Sequence, residues 1–238
     1  AVYCSRNSGQ TTFIRCRFEN NTALRGGGAV SIRADDQTGD QTNTPRFEDC
    51  RFINNTADND GNTSGDDPGG GGVQVLGNSN ATFYRCRFLG NASDGADQHG
   101  GGAYIGKYQI DTSVLAHAAE ARFESSLFSG NTALKGAGLY SLSNTGNPGA
   151  DSGPRIVNTT FTLNAASGTG ASGGGIYCQS TDADYKPRIT NCVLWGNTVN
   201  SVGGLSSQIH AADATSDAVI TYSCIEDGTP AQSPYPYG

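Results

Sequence analysis

A phenylalanine followed three residues later by asparagine recurs along this chain, each time with glycines and a short apolar run after it. The first half of the motif reads Phe18–Asn21, Phe52–Asn55, Phe88–Asn91, Phe128–Asn131, Phe161–Asn164 and, with Leu in place of Phe, Leu194–Asn197. The second half reads Gly27-Gly28-Ala29-Val30, Gly71-Gly72-Val73, Gly101-Gly102-Ala103-Tyr104, Gly136-Ala137-Gly138-Leu139-Tyr140, Gly174-Gly175-Ile176-Tyr177 and Gly203-Gly204-Leu205. Successive Phe positions lie 34, 36, 40, 33 and 33 residues apart by subtraction. A period of this size predicts a stack of similar units, each burying its apolar face on its neighbours.

Within a unit the apolar run alternates. Ala29 and Ser31, Val73 and Val75, Ala103 and Ile105, Ile176 and Cys178 share one parity, while Val30, Gln74, Tyr104, Tyr140 and Tyr177 share the other. Alternation with period two is the signature of a strand. Upstream of each Asn a second strand reads Phe13-Ile14-Arg15-Cys16-Arg17-Phe18, with counterparts at Phe47–Phe52 and Phe83–Phe88. Its first Phe and its Cys are three apart, whereas Cys and the second Phe are two apart. If all three face inward, the alternation breaks once, as at a corner between two short strands. Gly and Asn are the residues expected to supply left-handed backbone at further corners.

No helical periodicity is present, and hairpin-type two-residue turns are missing, so parallel stacking of coils is expected: an all-β parallel β-helix of about seven rungs with variable loop insertions. A propeller blade needs four strands in about 40–45 residues; three short strands and one variable loop suit these units better. The insertions fall at one point of the unit, the longest from Ala57 to Pro68. At ~4.8 Å per rung the rod is roughly 30–35 Å long. The β-helix is expected over 1–227, followed by a Pro-rich tail or docking arm at 228–238 that cannot serve as a central strand.

Phe-x-x-Asn alternating with Gly-Gly-Ala-Ile-like tetrapeptides resembles the polymorphic outer-membrane-protein repeat and, more broadly, large secreted bacterial right-handed β-helix proteins. The stretches Pro187–Asn197 and Ile220–Ile225 resemble closing rungs of such proteins. The resemblance implies a right-handed coil, export to the extracellular space or cell surface, and a structural or adhesin-like role. It implies no catalytic residues, because the motif consists of fold-forming positions.

That exported setting bears on the seven cysteines. Cys4 with Cys16, and Cys178 with Cys192, recur at equivalent places of two units; Cys50 and Cys86 occupy one slot in consecutive rungs, a strand spacing apart and within reach of a disulfide. These three pairs are the candidate disulfides, with Cys224 left over; a stack of buried free thiols is the alternative.

The formal charge of −7 and pI near 4.8 argue against a nucleic-acid partner, and no apolar run approaches the roughly 20 residues of a membrane span. Ala1-Val2-Tyr3-Cys4 begins in mid-motif, which is expected of a processed product or a piece of a longer polypeptide.

Candidate sites are few. Gly168-Thr169-Gly170-Ala171-Ser172-Gly173 fits a dinucleotide fingerprint and Gly170–Gly174 a nucleophile elbow, but each needs a strand before and a helix after it. His99, His117 and His210 fall in different units and read as surface or loop histidines. Acidic residues sit mainly in inserts (Asp35, Asp36, Asp66, Asp67, Asp94, Asp97, Asp182, Asp184) rather than at matched strand positions, where a polysaccharide-cleaving β-helix would need them. Asp58, Asp60, Asn62 and Asp66, around Gly61, form a candidate Ca²⁺ loop without the twelfth-position Glu or flanking helices of an EF-hand. No other cofactor is expected.

Two surface ladders remain. Tyr3, Tyr104, Tyr140 and Tyr177 share the outward parity and suit either a sugar or partner platform or a cross-rung stack covering the sheet. Arg17, Arg51 and Arg87 repeat on consecutive rungs, where like charges repel; Glu19, Glu48 and Asp49 are placed to compensate, and an anion-binding stripe is the alternative. The partners this leaves are the chain itself, head to tail in a filament, and an extracellular glycan. A non-enzymatic structural or adhesive β-helix is the leading expectation, and a carbohydrate-active β-helix or lectin the second.

Overall fold

The computed structural model describes residues 1–5, 10–34, 43–59, 69–95, 99–108, 117–143, 153–180, 185–213 and 216–227. They wind into a parallel β-helix whose first six coils each contribute one strand to every one of four sheets. The second coil shows the plan. Val30–Ala34 lies on the first face, Arg46–Glu48 on the second, Arg51–Ile53 on the third and Thr56–Asn59 on the fourth, before Val73–Gly77 returns to the first. Among the described residues three faces carry seven strands along their path and the fourth carries six. The expected three strands per unit were one short: the pair after each motif Asn, such as Thr22–Ala23, is itself a strand.

Each corner has a backbone cause. The residue between the second and third strands is left-handed in coil after coil: Arg15 (φ 54°), Asp49 (φ 54°), Arg85 (φ 52°), Ser125 (φ 53°), Asn158 (φ 52°) and Asn191 (φ 54°). That single residue breaks the alternation, so Phe13 and Cys16 both turn inward. Between the third and fourth strands the left-handed residue is the one before the motif asparagine, among them Asn20, Asn54, Gly90 and Gly130. The motif Asn has a different task, described below.

The motif glycines serve close approach more than unusual dihedrals. A Cβ on Gly71 would stand 2.3 Å from the carbonyl oxygen of Gly101, and one on Gly102 would stand 2.5 Å from that of Gly138. Coils can stack at strand spacing there only without a side chain. The first unit is offset by one residue from the alternation read in sequence. Ala29 takes the slot of Gly72, so Val30 packs inward over Val73 and Ser31 faces out over Gln74.

The interior is two columns of rings. Phe13, Phe47, Phe83 and Phe123 stack on the second face, and Phe18, Phe52, Phe88, Phe128 and Phe161 on the third. Centroids are 4.3–5.0 Å apart along each column. Across the columns the rings meet edge to face at 5.2–6.2 Å. Burying each ring contributes about 1.5–3 kcal/mol, and these packing geometries are the ones aromatic quadrupoles favour. Among the described residues the only helix is Leu205–Gln208, too short to cross a membrane.

Candidate functional site

The sites expected from sequence divide once the coil is built. The tyrosine ladder is a buried stack. Tyr104, Tyr140 and Tyr177 lie 5.3 and 5.0 Å apart, and all three are at most 6% exposed. His99 stacks on Tyr140 at 4.5 Å and His210 on Tyr177 at 5.3 Å, so two of the three histidines read as surface or loop residues pack against this column. Tyr3 does not join it: in the outward register Tyr3 is followed by Ser31 and Gln74 before Tyr104. Tyr3 alone of the four is exposed.

Of the candidate Ca²⁺ loop, Asp58 is described; Asp60, Asn62 and Asp66 lie outside the described residues. Asp58 is in strand register with Asp94, so two carboxylates share one position on neighbouring coils although both were read as insert residues. No group of three or more metal-ligating side chains occurs among the described residues. Gly168–Gly173 form a turn that leads into the strand Ile176–Ser180, without the helix that phosphate or nucleophile chemistry requires. The tail 228–238 lies outside the described residues.

All seven cysteines are free thiols. Cys4 stacks on Ile32 in the first face, whereas Cys16 occupies the corner between the second and third faces with Cys50 as its thiol neighbour. Cys178 likewise sits on the first face and Cys192 at that same corner. The pairs Cys4–Cys16 and Cys178–Cys192 thus join different faces and are not bonded, and Cys50 and Cys86 are stacked but not bonded. The Cys86 hydrogen bond favours the Cys50 thiolate and lowers its pKa, while Cys86 is raised. Burial pushes Cys178 up to about 12 and Cys192 up to about 11.

The corner column continues through residues that sequence did not connect with cysteine. The backbone N–H of Cys86 donates to Ser126 Oγ at 3.1 Å, that of Ser126 to Thr159 Oγ1 at 3.3 Å, that of Thr159 to Cys192 Sγ at 3.4 Å, and that of Cys192 to Ser223 Oγ at 3.1 Å. A shared offset of two residues before the motif Phe was the available signal, obscured by the change of residue type.

Outside this column runs a cleft of about 550 Å³, lined by Asp49, Arg51, Arg85, Arg87, Ser125 and Thr160 among others. Arg17, Arg51 and Arg87 stand in register on three adjacent strands. Their expected neutralisation is incomplete. Glu19 pairs with Arg17, but Asp49 takes the fork of Arg85 at 2.7 Å on each oxygen, and Glu48 takes Arg85 at 2.9 Å. The Arg85 hydrogen bonds hold the Asp49 carboxyl below its usual range and raise Arg85. Arg85 also lies 4.2 Å over the ring of Tyr84. Arg51 and Arg87 are exposed and form no salt bridge among the described residues.

Fold and surface together define a parallel β-helix of short stacked repeats with a cationic cleft on one corner. Its repeat is similar to a known one: residues 15–33 match the family model for the Chlamydia polymorphic membrane protein repeat. That segment holds Phe18–Asn21 and Gly27-Gly28-Ala29-Val30, the motif that the other coils reproduce in register. No curated protein and no solved structure matches the chain.

Proposed function

We propose that this chain is a non-enzymatic surface β-helix with an adhesive role, a rigid rod that displays variable side chains on invariant coils. One observation carries the reading. At the first position of the third-face strand the inward neighbour stays Phe, Phe, Phe, Phe, Phe, Leu, while the outward residue changes from Arg17, Arg51 and Arg87 to Leu127, Thr160 and Val193. A scaffold with fixed inside and free outside suits recognition. The match of residues 15–33 to a membrane-protein repeat supports placement at the cell surface.

The test is attachment of beads coated with the purified chain to cultured cells. Saturable attachment that excess soluble chain displaces is the expected result; attachment no better than beads carrying an unrelated β-helix would overturn the reading. Negative-stain microscopy of the same preparation distinguishes a filament subunit: short isolated rods accord with adhesion, whereas uniform filaments would replace it with end-to-end assembly.

A further inference from the structure

The cleft between the second and third faces holds two positive charges, Arg51 and Arg87, that no carboxylate among the described residues pairs with. Arg51 and Arg87 face each other in register, about 4.8 Å apart by strand spacing, where like charges directly opposite are destabilising. The nearby carboxylates Asp49 and Glu48 are both committed to Arg85, and Glu48 also meets Arg46 at 3.5 Å. The chain as a whole is acidic, at −7, so this concentration of guanidinium groups runs against its surroundings.

We propose that the cleft binds an acidic polysaccharide, with sulfate or carboxylate groups seated on Arg51 and Arg87. This deepens the adhesive reading and rests on it for its biological meaning, though not for the binding itself. Three features select the ligand class. Guanidinium forks match planar carboxylate and sulfate oxygens bidentately. The cleft crosses four coils, from Asp49 and Arg51 through Arg85 and Arg87 to Ser125 and then Thr160, so it accepts an extended chain rather than a single small anion. Beyond the arginines its wall offers hydroxyls, which suit the neutral part of a sugar chain. A nucleic acid fits less well: its bases call for a free aromatic face to stack on, and the adjacent ring of Tyr84 is already covered by Arg85 and approached by Arg46 at 5.5 Å.

The experiment is isothermal titration of the whole chain with heparin oligosaccharides, polygalacturonate oligosaccharides, neutral dextran and single-stranded DNA, at low and physiological salt. Binding to one or both acidic glycans, weakened by salt and absent with dextran, is expected; the heparin and polygalacturonate arms separate sulfate from carboxylate. The double variant Arg51→Gln/Arg87→Gln should lose at least about tenfold in affinity, since two charge-assisted contacts are removed. Arg155→Gln, outside this cleft, should bind as the parent does. Thermal unfolding of the double variant should be unchanged or improved, because a like-charge contact is removed; a purely structural role for the arginines would lower it. No binding of any acidic glycan at low salt, binding untouched by the double variant, or equal affinity for DNA would overturn the proposal. Loss of glycan binding with cell attachment intact in the double variant would overturn the cleft as the adhesive site and spare adhesion, and glycan binding without attachment would overturn adhesion and spare the cleft.

Discussion

Cys16 and Asn21 flank the same three-residue strand, yet the buried columns that begin at them behave differently. On the Asn side six successive coils place asparagine, from Asn21 through Asn55, Asn91, Asn131, Asn164 and Asn197, and Gln208 closes the column by accepting from Asn197 Nδ2 at 2.6 Å. On the Cys side the residue drifts among Cys, Ser and Thr. The difference lies in what each turn leaves unsatisfied. Asn131 Oδ1 accepts from the backbone N–H of Asn91 at 2.9 Å and from its Nδ2 at 3.0 Å, while Asn131 Nδ2 donates to the Phe88 carbonyl at 3.0 Å and to Asn164 Oδ1 at 2.8 Å. Only a carboxamide offers two donors and two acceptor sites from one side chain. The other corner asks for one acceptor and one donor, which a hydroxyl or thiol equally supplies. Cysteine is therefore a hydrogen-bonding member of a mixed column, and its spacing need not report a disulfide framework.

The comparison breaks most readily at the centre of the Asn column. Asn131→Ala strands the Asn91 N–H and the Phe88 carbonyl in the interior, at about 1–3 kcal/mol each, and opens space beside them. The expected loss is about 4 kcal/mol in urea unfolding at fixed m-value. A loss below about 1.5 kcal/mol would mean that the column is dispensable and that the glycine approaches alone hold the coils in register.

Ser126 gives the matching test on the other side. Ser126→Ala removes the acceptor for the Cys86 N–H and should cost about 1–2 kcal/mol. Ser126→Cys, which restores a donor and acceptor found elsewhere in the column, should stay within about 1 kcal/mol of the parent. If the cysteine variant were as damaged as the alanine variant, interchangeability would fail and the natural cysteines would need another explanation.

The fold was legible because its strongest constraints are periodic. Phe-x-x-Asn marks the third strand and the buried amide after it, and the glycines mark where coils touch, so parallel stacking followed from spacing alone. The fourth strand was hidden by its length of two to four residues, too short for alternation to show. Site features were less legible. The tyrosines' outward parity was read correctly from Tyr104, Tyr140 and Tyr177, but parity does not say whether a face is covered, and these rings are buried. The arginine register could be seen in sequence; what could not is that the left-handed residue Arg85 reaches back to Asp49 and Glu48 on the preceding coil, taking the carboxylates expected to neutralise Arg51 and Arg87. Side-chain reach across coils has no signature in spacing.

The smallest effect concerns a third column, the outward aromatic one, and it sharpens the contrast because asparagine has no proton to gain or lose near neutrality. His210 stacks on Tyr177 and its pKa is lowered by burial and then by the positive charge of Lys135, which itself lies 5.4 Å over the Tyr177 ring. An unfolded histidine titrates near 6.5. With the folded value lower, the unfolded chain binds more protons between the two values, so stability is fully present above ~6.5 and declines as pH falls through that window. Urea midpoints measured at pH 7.5, 6.5 and 5.5, above the range in which most carboxylates titrate, should fall modestly toward pH 5.5. His210→Gln should flatten that trend, while Asn131→Ala, destabilised throughout, should keep it. A slope that persists undiminished in His210→Gln would move the titration to another group and overturn the assignment to His210.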